Sequence, residues 1–248
     1  LERIESAHPY LIIGSASRIQ HRQLKQIKGI DEIGPKGFYL LEPDLENSTH
    51  HHSFEFVRLA VSMALRNEVA TIVTAPISKE NWHKSGVHYK GHTDYLAESA
   101  KIQHYAMGFW AESLKTILYT IHIPLIDVAA RMRTEPIVQF IEFVATELKR
   151  QFNRDFRFMI PGFNPHAGEN GLMGREEIDA IIPAIESLKG KIDIKGPYPP
   201  DTIFVKALNQ SDTVVISWYH DQGLIPFKLL NFHSGVNWTI GLPYIRTS

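Results

Sequence analysis

The sequence has no cysteine. That excludes structural disulfides and thiolate metal sites, and leaves imidazole and carboxylate as the ligands open to a metal ion. Charge of one sign is also scarce: Lys+Arg total 26 against 27 for Asp+Glu, a net of -1. Such a balance carries no footprint of a nucleic-acid partner and no polybasic membrane anchor. No apolar run approaches the roughly 18 residues of a membrane span, and no charged-then-apolar leader opens the sequence. The expectation is a cytoplasmic protein with a small-molecule partner. Two nucleotide signatures are missing as well, since no G-x-G-x-x-G follows a strand pattern and no G-x-x-x-x-G-K-[ST] occurs.

What is present is a chain of 248 residues, 44% hydrophobic, enough for one sizeable core or two closely packed lobes. Leu11-Ile-Ile-Gly14 and Gly37-Phe-Tyr-Leu-Leu41 read as strands. The His50-His51-His52 tract with Asn47, Ser48 and Thr49 reads as a loop without catalytic weight. Val57, Ala60, Val61, Ala64 and Leu65 recur at helical spacing, and a buried strand is expected over 69–74. Ser78 is placed to cap a helix that Gly86 stops, and Thr93 or Asp94 to cap the next. Thr134-Glu-Pro136 opens an amphipathic helix carrying Ile137, Phe140, Ile141, Val144 and Leu148. Ile178, Ile181, Ile182, Ile185 and Leu188 mark another. Strand, loop and helix alternate, the pattern of a parallel or mixed sheet covered on both faces. Neither an internal repeat nor a domain boundary is legible.

Chemistry-bearing residues concentrate where apolar runs break. Val214, Val215, Ile216 and Trp218 form a strand pattern that runs into His220, Asp221 and Gln222 and is closed by Gly223. Phe156 to Phe163 runs into Asn164-Pro-His166-Ala-Gly168-Glu-Asn-Gly171-Leu-Met-Gly174, read as a flexible loop around a ligand. Lys115 to Leu125 reads as a strand holding His122. In open α/β sheets ligands bind beyond the carboxyl ends of strands, so three histidines at such ends suggest one site built from distant segments. An isolated His-Asp pair is more often a hydrogen-bonded loop, and the histidine trio has no local spacing of its own to authenticate it. Gly91-His92-Thr93 at a helix start is suited to an anion, although an ordinary capped helix looks the same.

Asn164-Pro-His-Ala-Gly-Glu-Asn-Gly, Gly196-Pro-Tyr-Pro-Pro-Asp201-Thr, Tyr219-His-Asp-Gln-Gly and Gly235-Val-Asn237-Trp-Thr-Ile-Gly241-Leu-Pro-Tyr-Ile-Arg246-Thr-Ser resemble the 4-hydroxythreonine-4-phosphate dehydrogenase family of vitamin B6 biosynthesis. The likeness runs from about Thr74 to Ser248. It implies an isocitrate/isopropylmalate dehydrogenase-like fold of two α/β lobes with a cleft between them. It also implies NAD- or NADP-dependent oxidation of 4-phosphooxy-L-threonine, with decarboxylation to 3-amino-2-oxopropyl phosphate. By the same resemblance a divalent ion (Zn, Mg or Co) is held by His122, His166 and His220, and substrate is contacted by His92, Thr93, Lys228, Asn237 and Arg246. Asp221, Asp201 and Lys228 remain open as the catalytic base. The family is a homodimer whose metal histidines come from both subunits, which leads to the expectation that His220 faces His122 and His166 of its partner.

The family pattern also has a Gly-Asp-Pro-Ala-Gly segment near its start and an Asp-His-Gly-Thr stretch after the Arg246 segment. Neither is in this sequence, so an incomplete nicotinamide site is expected in the chain as given. Three other readings stay open. A paralogue would act on another phosphorylated hydroxy acid, such as a phosphothreonate. A metal-activated hydrolase would use the same open coordination positions. A phosphometabolite-binding protein would bind without turnover.

Overall fold

The computed structural model describes residues 7–19 and 23–248. The chain divides into two compact units, Leu1–Lys101 and Ile102–Ser248, a boundary that the sequence pattern had not disclosed. The part of the expected leader-free start that covers residues 1–6 lies outside the described residues.

The first unit holds a small parallel sheet in the order β1-β3-β2, made of β1 (Pro9–Ile13), β2 (Leu24–Ile27) and β3 (Gly37–Leu41). β1 and β3 fall where the apolar runs put them. β2 was missed, because Leu24-Lys-Gln-Ile27 carries only two apolar residues and becomes a strand by pairing with β3. The histidine tract is a helix start and not a loop. His51 accepts the Ser53 N–H and caps α1 (His52–Leu65), while His50 Nδ1 lies 3.0 Å from the Ser85 carbonyl. β4 (Thr71–Val73) and α2 (Lys79–Lys84) follow, with Ser78 accepting the Asn81 N–H as the cap rule requires. α3 (His92–Ser99) begins after Gly91, and Asp94 takes the Lys90 N–H at 3.1 Å.

In the second unit the strands lie in the order β11-β10-β5-β6-β9-β7-β8. They are β5 (Ala106–Trp110), β6 (Lys115–Leu118), β7 (Arg157–Pro161), β8 (Ile194–Tyr198), β9 (Thr213–Ser217), β10 (Val236–Ile240) and β11 (Ile245–Thr247). β6, β9, β7 and β8 run parallel to one another, and β5 is antiparallel to β6. Alternate residues of β9 serve opposite faces, as the pleat demands. Val214 and Ile216 pack with α4 (Thr134–Phe152) and α5 (Ile182–Leu188), whereas Val215 packs with α6 (Pro200–Ala207) and α7 (His220–Asn231). Ile137, Ile141, Val144 and Leu148 form the buried stripe of α4, each worth roughly 1.5–3 kcal/mol of apolar burial. Counted with the parallel sheet of the first unit, the strand pairings are mixed and largely parallel, and the larger sheet is covered on both faces. Among the described residues no helix is long and apolar enough to cross a membrane.

Two local predictions are corrected. β6 stops at Leu118, and His122 stands in the irregular segment beyond it. The His220-Asp221-Gln222-Gly223 segment is the first turn of α7, not a polar loop closed by glycine. Gly223 is buried there because α7 rides close on the sheet: an added Cβ would sit 2.8 Å from both Ser217 Oγ and Leu118 Cδ2.

Candidate active site

Four of the sequence-selected residues follow the carboxyl ends of four neighbouring parallel strands. His122 follows β6, His220 follows β9, His166 follows β7, and Asp201 follows β8. The ladder between β6 and β9 continues past both strands. Tyr119 N donates to the Ser217 carbonyl at 2.8 Å, Thr120 N to the Trp218 carbonyl at 3.2 Å, and Thr120 Oγ1 to the same oxygen at 2.6 Å. His122 and His220 each lie two residues beyond that last pair. Their rings stand side by side in one chain, with centroids 5.8 Å apart.

His220 Nδ1 lies 2.7 Å from Asp221 Oδ1, so the carboxylate fixes the imidazole and leaves Nε2 for a ligand. Two imidazoles sharing one ion at about 2.1 Å bring their ring centres to roughly 5–6 Å. The pair therefore fits two corners of a divalent-ion site. Among the described residues no group of three or more His, Cys, Asp or Glu side chains is placed to hold an ion, so His166 does not complete the set within this chain. Within one chain the β6–β9 pairing puts His122 and His220 side by side, whereas the sequence expectation has His220 facing His122 of a partner.

His166 is exposed on the turn Pro165–Gly171. The turn is not the flexible loop expected from its glycines. His166, Ala167, Gly168, Glu169, Asn170 and Gly171 all have positive φ (52°, 54°, 77°, 43°, 55° and 92°). Glu177, which the sequence reading passed over, is 2% exposed and accepts the N–H groups of Phe163 and Asn164 at 2.7 and 2.8 Å. Its partners are backbone groups some 13 or 14 residues away, and backbone donors leave no sequence signal. Gln222, 8% exposed, joins the two histidine-bearing segments. Its Oε1 accepts the Trp218 N–H at 2.7 Å and its Nε2 donates to the Gly162 carbonyl at 3.0 Å.

Three other selected residues of the second unit lie apart from the histidine pair. Lys228 is exposed two turns further along α7, about 12 Å down the helix axis. Asn237 lies on β10, where its Nδ2 donates to Ser248 Oγ at 3.2 Å. Arg246 lies on β11, three strands from β6 or about 14 Å across the sheet. It is 4% exposed with Nη1 donating to Thr239 Oγ1 at 3.1 Å, and burial lowers the pKa of its guanidinium. His92 and Thr93 belong to the first unit and open α3, with the His92 ring edge-on to Trp82. A hollow of about 750 Å³ opens next to the His122 segment, lined in part by Tyr119, Ile121, Ile123, Arg131, Phe140 and Phe143. Burial raises the Tyr119 phenol, and both burial and the Asp221 charge raise that of Tyr219.

The chain is similar over most of its length to proteins of known name. A 4-hydroxythreonine-4-phosphate dehydrogenase of Aquifex aeolicus is 40% identical over 233 residues, covering 90% of this chain and 72% of that protein. A D-threonate 4-phosphate dehydrogenase of Pectobacterium atrosepticum is 42% identical over 200 residues, covering 79% of this chain and 60% of that protein. A crystal structure of 4-hydroxythreonine-4-phosphate dehydrogenase from Klebsiella pneumoniae superimposes with a TM-score of 0.83 at 35% identity, over 96% of this chain and 80% of that one. The chain thus spans between about three fifths and four fifths of these relatives' lengths. The fold is the isocitrate/isopropylmalate dehydrogenase-like architecture of the 4-hydroxythreonine-4-phosphate dehydrogenase structures. Residues 10–248 match the family described as pyridoxal phosphate biosynthetic protein PdxA, and the chain belongs to that family.

Proposed function

We propose that the chain oxidises the secondary alcohol of a phosphorylated hydroxy acid, 4-phosphooxy-L-threonine in the first instance, with NAD or NADP as hydride acceptor and loss of CO2 to give 3-amino-2-oxopropyl phosphate. The observation that carries this reading is the His122–His220 pair, braced by Asp221, at the carboxyl ends of adjacent parallel strands. A divalent ion (Zn, Mg or Co) bound there would favour the alkoxide and polarise the ketone formed from it. His220 through Nε2 and His122 through a ring nitrogen would hold it, and Asp221 would keep the His220 ring in orientation. Because Asp221 is engaged in this way, the proton acceptor is better sought in Asp201, at the same edge of the sheet, than in Lys228 two turns down α7.

Two observations support a homodimer with shared sites. Among the described residues no group of three His, Cys, Asp or Glu side chains placed to hold an ion includes the histidine pair. α7, which starts at His220, also exposes Ile225 (66%), Leu229 (83%) and Phe232 (73%) as a stripe with helical spacing. A contiguous apolar stripe of this kind marks an interface more often than a free surface. The partner's His166 would then complete the ion site, with His92, Thr93, Lys228, Asn237 and Arg246 as the substrate-binding set. D-Threonate 4-phosphate is the second substrate to consider, since relatives are named for it. The test is a panel of both phosphorylated acids with NAD and NADP, read as absorbance of the reduced cofactor with and without added metal. Phosphate release without cofactor reduction would assign a hydrolase, and tight binding without turnover a phosphometabolite-binding protein.

A further inference from the structure

We infer that Glu177 is a positioning residue for the reaction, the clamp that holds the turn carrying His166; this rests on the role proposed above for His166. The turn needs a clamp. L-residues disfavour the left-handed region, yet His166, Ala167, Glu169 and Asn170 all occupy it in sequence, with φ of 52°, 54°, 43° and 55°. Such a run persists only where its surroundings over-determine it.

One buried carboxylate supplies most of that constraint. At the entrance of the turn, Glu177 Oε1 accepts the backbone N–H groups of Phe163 at 2.7 Å and Asn164 at 2.8 Å, and Oε2 accepts Asn164 Nδ2 at 2.9 Å. In the middle of the turn Gly168 lies against the same group: an added Cβ would sit 2.5 Å from Glu177 Oε2. A single carboxyl oxygen thus takes two backbone N–H groups, and the residue is only 2% exposed. Glu176 Oε2 adds a second grip on Asn164 Nδ2 at 2.6 Å. The opposite side of the segment is braced by Gln222, whose Nε2 donates to the Gly162 carbonyl at 3.0 Å. Glu177 thus acts on chemistry through His166, and it is itself buried away from solvent.

The test compares Glu177→Ala, Glu177→Gln and His166→Ala in the full chain. Amide exchange at Phe163 and Asn164, affinity for Co2+ alone, and turnover with 4-phosphooxy-L-threonine and NAD are measured beside the thermal midpoint. Glu177→Ala should speed exchange at the two amides by at least tenfold, and should weaken Co2+ binding and lower kcat by at least tenfold. Glu177→Gln keeps one carbonyl acceptor and should recover most of each loss; if the alanine variant does not fold, this variant decides by the same readouts. Wild-type exchange at the two amides would overturn the clamp. Faster exchange with unchanged Co2+ affinity and kcat would leave Glu177 merely structural and overturn the positioning role. A His166→Ala variant with normal Co2+ affinity and turnover would remove the role of His166 itself, and is distinguished from failure of the clamp because exchange in the Glu177 variants is read independently.

Discussion

Mixing inactive variants reports which histidines share a subunit at the ion site. His122 and His220 stand 5.8 Å apart, ring centre to ring centre, in one chain, and the partner's His166 is the proposed third ligand. In a mixed dimer of His166→Ala and His220→Ala chains, one site combines the intact pair of the first chain with the intact His166 of the second. The other site carries both lesions. Random exchange makes about half the dimers mixed, each with one good site of two, so about a quarter of wild-type activity returns in a two-fold dimer. A mixture of His122→Ala and His220→Ala should return nothing, because each chain then brings one broken pair. The assay is cofactor reduction with phosphorylated substrate after native mass spectrometry has verified subunit exchange. Recovery in the His122/His220 mixture would refute the intrachain pair, and silence in the His166/His220 mixture would refute the shared site.

Removing the Asp221 carboxylate as Asp221→Asn should weaken Co2+ or Zn2+ binding by about 10–100-fold, read by calorimetric titration; unchanged affinity would detach Asp221 from orienting His220. Gly168→Ala forces a side chain onto φ +77° and a Cβ to 2.5 Å from Glu177 Oε2; the αL position alone costs about 1–2 kcal/mol, so a urea midpoint equal to wild type would contradict this packing. Gln222→Leu strips partners from the buried Trp218 N–H and Gly162 carbonyl, at about 1–3 kcal/mol for each group left unmade, and should show as faster amide exchange at Trp218. Tyr89 is pushed up to about 12 by its hydrogen bond to Glu98. Because the folded value lies above the ordinary one of 10.0, the stability it lends is complete below pH 10 and fades as pH rises towards 12. The tyrosinate absorbance of wild type should therefore exceed that of Tyr89→Phe only near the upper limit, and an extra titration near pH 10 would count against the bond.

Much of this protein was legible from local pattern. Apolar spacing gave α4 its buried stripe of Ile137, Ile141, Val144 and Leu148, because a 3.6-residue period is enough to identify a face that must leave water. The cap at Ser78 and the breaks after the β7 and β9 runs were legible for the same local reason, and the ordered motifs around Asn164, Asp201, His220 and Arg246 identified the family. The sequence by itself thus determined the α/β class, the candidate site residues and the absence of any thiolate chemistry. Tertiary structure decided their grouping. The β6–β9 pairing brings His122 beside His220 although 98 residues separate them in number, and the turn of His166 is set by a carboxylate whose partners are backbone N–H groups. Strand order and backbone hydrogen bonding depend on which segments pair across the whole chain, and the residue types at His122, His166 and Glu177 do not encode that locally.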